Sequence, residues 1–291
     1  MTISTHAPVG FIGLGAMGGP MTTNLLRGGF RVLGYDLDPD RRQAFTEAGG
    51  LLAADAAAVV AGVDTVCTSL PTSEAFVSFA EKMLIPQARS GQVFIDFGTV
   101  IPVETRRLAA AFAERGSFLL DVPVSGGGEG VVKGRLRMFA GGNRDVFERV
   151  LPVLHAVGGP DKLTYCGPSG SGQVVKGVNQ LKSALQTAAL LESVALAIRA
   201  GVSAETVAQA FSAGSAEEGS VVVKYARAVA ANADSHFGVK FRELPYYLAE
   251  AKHGGFPLPL TQALFEFCDR GPRVVTEDNR PAPSFWRELM T

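Results

Sequence analysis

The first half of the chain alternates short apolar runs with stretches of helical periodicity. The apolar runs cover residues 9–13, 31–35, 63–70, 92–97, 118–122, 135–141 and 163–166, and helical periodicity fills residues 21–27, 53–61, 74–82, 102–115 and 144–157. Alternation of this kind predicts a mostly parallel sheet with helices on both faces. Because ligands bind at the carboxyl ends of such strands, we expect one edge of the sheet to carry the functional turns. Those turns follow Gly13, Asp36, Leu70, Asp96 and Asp121.

After a cluster of glycine, serine and proline at residues 167–172, the pattern changes from alternating strands and helices to helices alone. A helix begins there and continues to about Arg199, and no strand pattern follows it. Further helical stretches cover residues 204–213, 221–230, 241–252 and 260–268. We therefore predict two domains, an α/β domain at residues 1–166 and an all-helical C-terminal domain at residues 167–291.

A glycine-rich turn follows the first apolar run. A single GxGxxG pattern is a weak signal, because glycine turns are common, but here it lies between a predicted strand and a predicted helix. The glycines allow close approach of a pyrophosphate, and the helix N-terminus presents free N–H groups to it. We therefore predict a Rossmann-type doubly wound sheet that binds a dinucleotide. The loop residues expected to contact the dinucleotide are Gly13, Leu14, Gly15, Ala16, Met17 and Gly18.

Asp36 follows the second apolar run, 23 residues after Gly13. An acidic residue at about this distance bonds the ribose 2′-hydroxyl in dinucleotide-binding folds. The alternative is an ordinary turn residue at a strand end, since Leu-Asp-Pro follows it. A carboxylate here would repel a 2′-phosphate, so the sequence favours NAD over NADP as the cofactor. We expect Arg41 and Arg42 to begin the next helix on its solvated face.

Polar residues recur every three or four positions along the long helix that begins near residue 170, which places them on one face. They are Gln173, Lys176, Gln180, Ser183 and Thr187. A lysine on such a stripe is either a surface residue whose stem lies along apolar neighbours or a buried ammonium with a chemical role. The helix alone does not decide between these two interpretations.

A second glycine-rich segment, DVPVSGG, follows the fifth apolar run at residues 121–127. It is either a flexible turn or a place where consecutive backbone N–H groups and the Ser125 hydroxyl meet a carboxylate. The four histidines belong to no motif, and we place His155 and His253 at helix ends or on the surface. Arg135 and Arg137 share one strand face, which we expect to be solvated.

Composition excludes several other classes of protein. With 47% hydrophobic and 19% charged residues the chain is globular, and a net charge of −1 gives no basis for binding nucleic acid. Three scattered cysteines provide no zinc or disulfide pattern. The N-terminus lacks a signal-peptide pattern and polar residues interrupt the long helix, so we expect a cytoplasmic protein without a membrane span.

Three segments carry a family resemblance: GFIGLGAMGGPM at residues 10–21, DVPVSGG at 121–127 and GSGQVVKGVNQ at 170–180. Together they resemble the β-hydroxyacid dehydrogenases, the family of 3-hydroxyisobutyrate dehydrogenase, tartronate semialdehyde reductase and 6-phosphogluconate dehydrogenase. The resemblance spans nearly the whole chain and implies that Lys176 is the catalytic lysine. It implies substrate contacts at Ser125, Gly126, Gly127, Asn179 and Gln180, and cofactor contacts at Leu70, Pro71 and Thr99.

Several positions depart from the family pattern. Members usually carry two adjacent asparagines after the lysine, whereas here the second is Gln180, whose side chain is one methylene longer. A Ser-Thr pair after the predicted strand at residues 92–97 is replaced by Gly98-Thr99. A C-terminal Lys-Asp pair is replaced by Arg242-Glu243, and Arg242, assigned to the cofactor side, offers a planar fork instead of a point charge. These departures concern the substrate more than the chemistry.

The resemblance implies an NAD-dependent dehydrogenase that oxidises a small 3-hydroxy acid to a semialdehyde. Lys176 would act as general base, and as general acid in the reverse direction. The expected partners are a small carboxylate substrate and further copies of the chain, in a homodimer or homotetramer. Alternatives are a reductase of tartronate or succinic semialdehyde, an imine reductase, and a non-catalytic binding protein on the same fold. The last two are disfavoured, because such relatives usually lack the lysine.

Overall fold

The computed structural model describes residues 7–212, 221–231 and 243–268, so the prediction for Arg242 lies outside the described residues. The chain divides into two compact units, Met1–Lys176 and Gly177–Thr291. The division falls inside the long helix Ser171–Arg199. The first unit is an α/β unit and the described part of the second is helical, which confirms the predicted fold class.

The first unit contains a nine-stranded sheet among its described residues. Its strands are β1 (Val9–Ile12), β2 (Val32–Tyr35), β3 (Leu51–Leu52), β4 (Thr65–Thr68), β5 (Val93–Asp96), β6 (Phe118–Asp121), β7 (Val124–Ser125), β8 (Arg137–Gly141) and β9 (Leu163–Gly167). They lie in the order β3-β2-β1-β4-β5-β6-β8-β7, and β9 pairs with β8. Strands β1 to β6 are mutually parallel, as predicted, whereas β8 runs antiparallel to β6 and β7.

The helices of this unit are α1 (Gly18–Arg27), α2 (Pro39–Glu47), α3 (Ala56–Gly62), α4 (Ser73–Phe79), α5 (Ile85–Gln87), α6 (Pro102–Glu114), α7 (Gly127–Val132) and α8 (Arg144–Gly158). A π-helical turn, Ala80–Leu84, joins α4 to α5, and a short 3₁₀ turn, Pro160–Lys162, precedes β9. The apolar pattern does not predict α2 or α7. Helix α2 is mostly polar and buries only Phe45, and α7 is rich in glycine.

The carboxyl ends of the central parallel strands align at one edge of the sheet. The backbone register places Ile12 beside Tyr35 and Thr68, Thr68 beside Asp96, and Asp96 beside Asp121. The turns that follow these five residues therefore lie along one edge, which confirms the expectation from the sequence. This edge is called the carboxyl edge below.

Both faces of the sheet are covered by apolar packing. Along β5, Val93 and Ile95 belong to one buried cluster, whereas Phe94 belongs to the cluster on the other face. Phe94 packs against Phe112 of α6 with ring centres 4.6 Å apart. Because side chains alternate along a strand, a continuous apolar run such as this one requires cover on both faces.

The second unit is helical throughout its described residues. It contains the C-terminal part of α9 (Ser171–Arg199), then α10 (Ala204–Ser212), α11 (Val221–Ala230), α12 (Leu244–Gly254) and α13 (Pro259–Cys268). Its core joins α9 to the later helices through Leu191, Val194, Val223, Ala226 and Leu264. The predicted helices are confirmed, with ends that differ by a few residues.

Helix α9 buries most of its predicted polar stripe. Gln173, Lys176, Gln180 and Thr187 are buried, but Ser183 is exposed and Ala184 takes the buried place. Helix α9 is also the one described helix that is long and apolar enough, by length and composition alone, to cross a membrane. Core helices of soluble proteins pass the same test, so it is a weak indication, and the absence of a membrane span stays a prediction.

Candidate active site

The glycine turn after β1 forms an open cradle at the carboxyl edge. Gly13 has φ +92°, which favours glycine, and a Cβ there would collide with the Ser69 carbonyl. A Cβ at Gly18 would collide with the Gly13 carbonyl. Helix α1 receives no side-chain cap at Met17, and of its first N–H groups that of Gly19 donates to the Gly15 carbonyl. The arrangement suits a pyrophosphate, as the sequence predicts.

Asp36 lies against this cradle. Its carboxylate is buried and accepts hydrogen bonds from the backbone N–H of Leu14 at 2.6 Å and of Asp38 at 2.9 Å. Arg41 Nη1 lies 3.8 Å from Asp36 Oδ2, and Arg42 donates to the Asp36 carbonyl. The two arginines are in α2, as expected, but they contact Asp36 and its turn instead of standing alone on a solvated face.

The other predicted cofactor contacts in this unit occupy the same edge. Leu70 and Pro71 follow β4, and Thr99 follows β5. Leu70 and Thr99 are partly exposed and Pro71 is exposed, so all three are accessible to a ligand. The Leu70 side chain lies close to Gly13, because the turn after β4 packs against the glycine cradle. The roles of these residues stay a prediction that their placement permits.

The DVPVSGG segment lies at the end of β6 and is not a loose turn. Val124 and Ser125 form β7 against β8, and α7 begins at Gly127. Gly126 has φ +143° and Gly127 has φ +60°, so both positions favour glycine. Gly126 and Gly127 are exposed and Ser125 is partly exposed, which leaves the segment accessible to a small anion.

Lys176 lies beside this segment, near the start of α9. Its side chain is only 5% exposed, and Nζ donates a hydrogen bond of 2.6 Å to the Val124 carbonyl. The interpretation of Lys176 as a surface lysine is therefore wrong. The lysine is buried, and its amine is hydrogen-bonded to the backbone one residue before Ser125.

Two buried carboxyl groups flank this region on neighbouring strands. Asp96 is 1% exposed and accepts a hydrogen bond of 2.7 Å from the Thr68 hydroxyl, while its Oδ2 has no hydrogen-bond partner within the described part of the chain. Burial raises the Asp96 pKa to about 7. Burial also raises the Asp121 pKa, to about 6, although backbone N–H groups, including those of Gly170 and Gln173, oppose that rise. Both carboxyl groups therefore titrate near neutral pH.

Comparison with known proteins decides the family. The profile described as NAD binding domain of 6-phosphogluconate dehydrogenase matches residues 8–167. A second profile, described as NAD-binding of NADP-dependent 3-hydroxyisobutyrate dehydrogenase, matches residues 170–280. The chain belongs to the β-hydroxyacid dehydrogenase family. It is accordingly an NAD-binding oxidoreductase.

Individual relatives cover most of the chain. It is 30% identical to 2-(hydroxymethyl)glutarate dehydrogenase of Eubacterium barkeri, over 97% of this chain and 95% of that protein. It is 34% identical to NAD-dependent L-serine dehydrogenase of Pseudomonas aeruginosa, over 69% of this chain and 67% of that protein. The structure of Mycobacterium tuberculosis 3-hydroxyisobutyrate dehydrogenase with L-serine is similar at a TM-score of 0.80 and 25% identity, covering 98% and 100% of the two chains.

In this β-hydroxyacid dehydrogenase, Gln180 of the helical unit has a fixed partner. Its Oε1 accepts a short hydrogen bond from the Tyr247 hydroxyl, and its Nε2 has no partner among the described residues. A Cβ at Gly177 would collide with the Tyr247 ring, so the glycine makes room for that ring. Burial raises the Tyr247 pKa far above its ordinary value, so the phenol stays protonated and donates. Asn179 is partly exposed one position away.

Sequence reasoning missed the parts of the site that depend on tertiary contacts. Tyr247 belongs to no motif, and Asp121 was marked only as a strand end. Gln173 was assigned to the polar stripe, but its side chain accepts from Val100 N–H at 3.1 Å and donates to the Gly98 carbonyl at 3.0 Å. A buried glutamine three residues before the lysine, next to a glycine-rich helix start, is the signal in the sequence that points to such a brace.

Proposed function

We propose that this enzyme oxidises a small 3-hydroxy acid to the corresponding semialdehyde with NAD, and that Lys176 is the general base. The reverse reaction uses the protonated lysine as general acid. The observation that carries the proposal is the buried Lys176 amine, held at the Val124 carbonyl beside the accessible Ser125 segment. A buried lysine is costly in a protein interior and is commonly retained for chemistry.

The residues of the first unit fit the cofactor. The cradle at Gly13 and Gly18 has no space for side chains, which is the arrangement that a closely approaching pyrophosphate requires. Asp36 supplies a carboxylate acceptor for the ribose hydroxyls at the same edge. When bound, NAD supplies the hydride acceptor. Leu70, Pro71 and Thr99 complete the proposed set of contacts on this unit.

Lys176 moves the proton of the reaction. In the oxidation, neutral Nζ would take the proton of the substrate hydroxyl as the carbon that bears this hydroxyl gives its hydride to NAD, so that an aldehyde, NADH and a lysine ammonium result. The Val124 carbonyl accepts from Nζ and holds the amine beside the Ser125 segment.

The substrate carboxylate is proposed to bind at the segment Ser125–Gly127. Glycines with positive φ at two consecutive positions turn backbone N–H groups toward one side, and the Ser125 hydroxyl adds a donor. A carboxylate held there next to Lys176 brings the hydroxyl of a 3-hydroxy acid near the base. Asn179 and Gln180 follow the lysine on the same helix, and the Gln180 amide Nε2 is a donor without a partner among the described residues.

A change at Lys176 tests the proposal. Lys176→Ala should lower kcat by about 10²–10⁴-fold, because the proton has no base to receive it. NADH should still bind, which titration of its fluorescence measures. Turnover is followed by NADH absorbance with 3-hydroxyisobutyrate, L-serine and 2-(hydroxymethyl)glutarate, and with the corresponding aldehydes in reverse.

Lys182→Ala is the matched control. Lys182 is exposed on the same helix, so its removal should leave kcat within about twofold of the wild type, as for most surface substitutions. Wild-type turnover in the Lys176→Ala variant would remove the lysine from the mechanism. A wild-type enzyme that turns over none of the 3-hydroxy acids or aldehydes would contradict the proposed substrate class.

A further inference from the structure

One carboxylate from a distant strand holds the first turn of the lysine helix. Asp121 ends β6, and its Oδ1 accepts from Gly170 N–H at 2.8 Å while its Oδ2 accepts from Gln173 N–H at 3.1 Å. The start of a helix leaves backbone N–H groups without partners inside the helix. Asp121 therefore caps α9 in the manner of an N-cap residue, although it lies far earlier in the chain.

The packing around Asp121 leaves no freedom for this cap. A Cβ at Gly141 would lie 2.6 Å from Asp121 Oδ1. A Cβ at Gly172 would lie 2.8 Å from Asp121 Oδ2 and would collide with the Phe139 carbonyl. Glycine at both positions thus allows β8 and α9 to enclose the carboxylate from two sides. A longer acid in place of Asp121 has no room in this enclosure.

Gln173 provides a second attachment of the same turn. Its side chain is fully buried and joins α9 to the turn after β5 by two hydrogen bonds, one from Val100 N–H and one to the Gly98 carbonyl. Thr99, a proposed cofactor contact, lies between those two residues. The Gln173 side chain therefore connects α9, which carries Lys176, to the carboxyl edge at which NAD is proposed to bind.

We infer that Asp121 and Gln173 are positioning residues, which fix α9 on the carboxyl edge so that the Lys176 amine meets the reacting hydroxyl. Lys176 follows Gln173 by three residues, so a small rotation or shift of this turn would move its Nζ away from Val124. Misplacement of a catalytic group by about 1 Å can lower a rate by about 10²-fold. The inference rests on the proposed function for its kinetic part only.

Two variants test the inference. Asp121→Asn retains the shape but replaces one acceptor oxygen by a donor that faces N–H groups, and Gln173→Met removes both side-chain hydrogen bonds at nearly constant volume. We expect each variant to lower kcat by about 10–100-fold per folded enzyme, as misplacement of a catalytic group predicts. KM for the hydroxy acid and Kd for NADH should change less than about threefold, since the atoms that bind them remain. NADH-binding stoichiometry gives the folded fraction.

Asp55→Asn is the matched control. Asp55 caps α3 by accepting from Ala58 N–H at 2.7 Å, so the same substitution weakens a helix cap in the same unit away from the lysine. Its kcat per folded enzyme should equal that of the wild type. A merely structural role for Asp121 and Gln173 would lower the folded fraction in their variants but leave kcat per folded enzyme unchanged, and that outcome overturns the inference.

Hydrogen exchange separates this inference from the proposed function. The first-turn amides of α9, including Gly170 and Gln173, should exchange at least about tenfold faster in Asp121→Asn than in the wild type, since they lose their cap. Unchanged exchange overturns the inference even if the enzyme is a 3-hydroxy acid dehydrogenase. If Lys176→Ala keeps full turnover, the proposed function fails. Faster exchange in Asp121→Asn would still support the attachment of α9 by Asp121. Should Asp121→Asn not fold, Gln173→Met decides by the same measurements.

Discussion

At the scale of single residues, Asp36 shows how one carboxylate can shape a loop and select a cofactor. Its two oxygens accept from Leu14 N–H and Asp38 N–H, which fixes the glycine cradle and the turn after β2. The same negative charge lies where a 2′-phosphate would come close. Arg41 is near enough to compensate part of that charge, with Nη1 3.8 Å from Asp36 Oδ2. We therefore predict that cofactor choice depends on the balance between Asp36 and Arg41, which also contacts Asp38 at 3.2 Å.

Asp36→Asn should shift the preference toward NADP. The amide oxygen can still accept from Leu14 N–H, at the cost of an amide nitrogen that faces Asp38 N–H. The repulsion of the 2′-phosphate disappears, and Arg41 keeps only the Asp38 carboxylate as a partner among the two. We expect the ratio of kcat/KM for NAD to kcat/KM for NADP to fall by about 10–100-fold, or about 1.4–2.7 kcal/mol. Initial rates with both cofactors measure this ratio.

Asp40→Asn is the control for the change in charge. Asp40 is exposed in the first turn of α2 and accepts no hydrogen bond from the glycine loop among the described residues. Its removal should leave the cofactor ratio within about twofold, because exposed charges are screened by solvent and salt. Equal shifts in the two variants would show that net charge, and not the place of Asp36, sets the preference.

At the scale of elements, α9 and α12 meet through a glycine and a tyrosine. The Tyr247 ring lies over Gly177 and its hydroxyl donates to Gln180, so one close contact between helices also orients an amide. Glycine inside a helix normally costs about 1 kcal/mol relative to alanine. Its presence at 177 is explained by the space that the ring requires.

Gly177→Ala should therefore destabilise the protein despite the better helix propensity of alanine. Displacement of the Tyr247 ring and loss of the Gln180 hydrogen bond should lower the free energy of unfolding by about 1–3 kcal/mol. Urea denaturation followed by circular dichroism measures the change. In a Tyr247→Ala background the ring is absent, and the same substitution should be neutral or stabilising. Destabilisation of equal size in both backgrounds would contradict this role of the glycine.

The elements that the sequence predicts well are those whose pattern is local. The strands β1, β4 and β5 and the helices α6, α8 and α9 have an apolar period or a proline that marks their start, and the structure confirms them. Helix α2 has no apolar stripe, because it buries a single side chain, Phe45, and the sequence indicates it only through Arg41 and Arg42. Helix α7 is not predicted from the sequence, because three glycines lower its helix propensity.

The site divides in the same way between local and tertiary features. The glycine cradle, Asp36 and Lys176 are recognisable in the sequence because each has a fixed spacing from a neighbouring element. The cap from Asp121 to α9 is not recognisable in the sequence, since it joins residues about fifty positions apart. Ser183 lies at the margin of the polar face of α9. Its exposure depends on which side of α9 packs against the core, and the spacing of polar residues in the sequence does not determine that side.

At the scale of the whole molecule, two buried carboxyl groups make stability depend on pH. The pKa of Asp96 rises from 3.8 to about 7, mainly by burial, and the pKa of Asp121 rises to about 6 for the same reason. A raised pKa means that the folded state binds more protons than the unfolded state between about pH 4 and pH 7. The free energy of unfolding contributed by these groups is therefore fully present below about pH 4 and is lost as pH rises through the folded-state pKa.

Asp96→Asn should remove the larger part of this dependence. The asparagine carries no titrating proton and its oxygen can still accept from the Thr68 hydroxyl. For the wild type, the Asp96 contribution should fall by roughly 3 kcal/mol between pH 5 and pH 8, as a shift of about three pKa units implies. We expect the difference in unfolding free energy between these two pH values to shrink by about that amount in Asp96→Asn. Urea denaturation at pH 5 and pH 8 measures it.

Asp161→Asn provides the comparison, because Asp161 is exposed in the turn before β9. Its pH dependence should match that of the wild type. The sign of the effect is as informative as its size, since exposed carboxylates in ion pairs stabilise a protein at higher pH, whereas these two buried groups act against the fold when they ionise. A steeper pH dependence in Asp96→Asn than in the wild type would show that Asp96 is ionised and stabilising in the folded protein. A higher free energy of unfolding in Asp96→Asn than in the wild type at pH 8 would instead show that the enzyme tolerates a buried acid at the edge where NAD is proposed to bind.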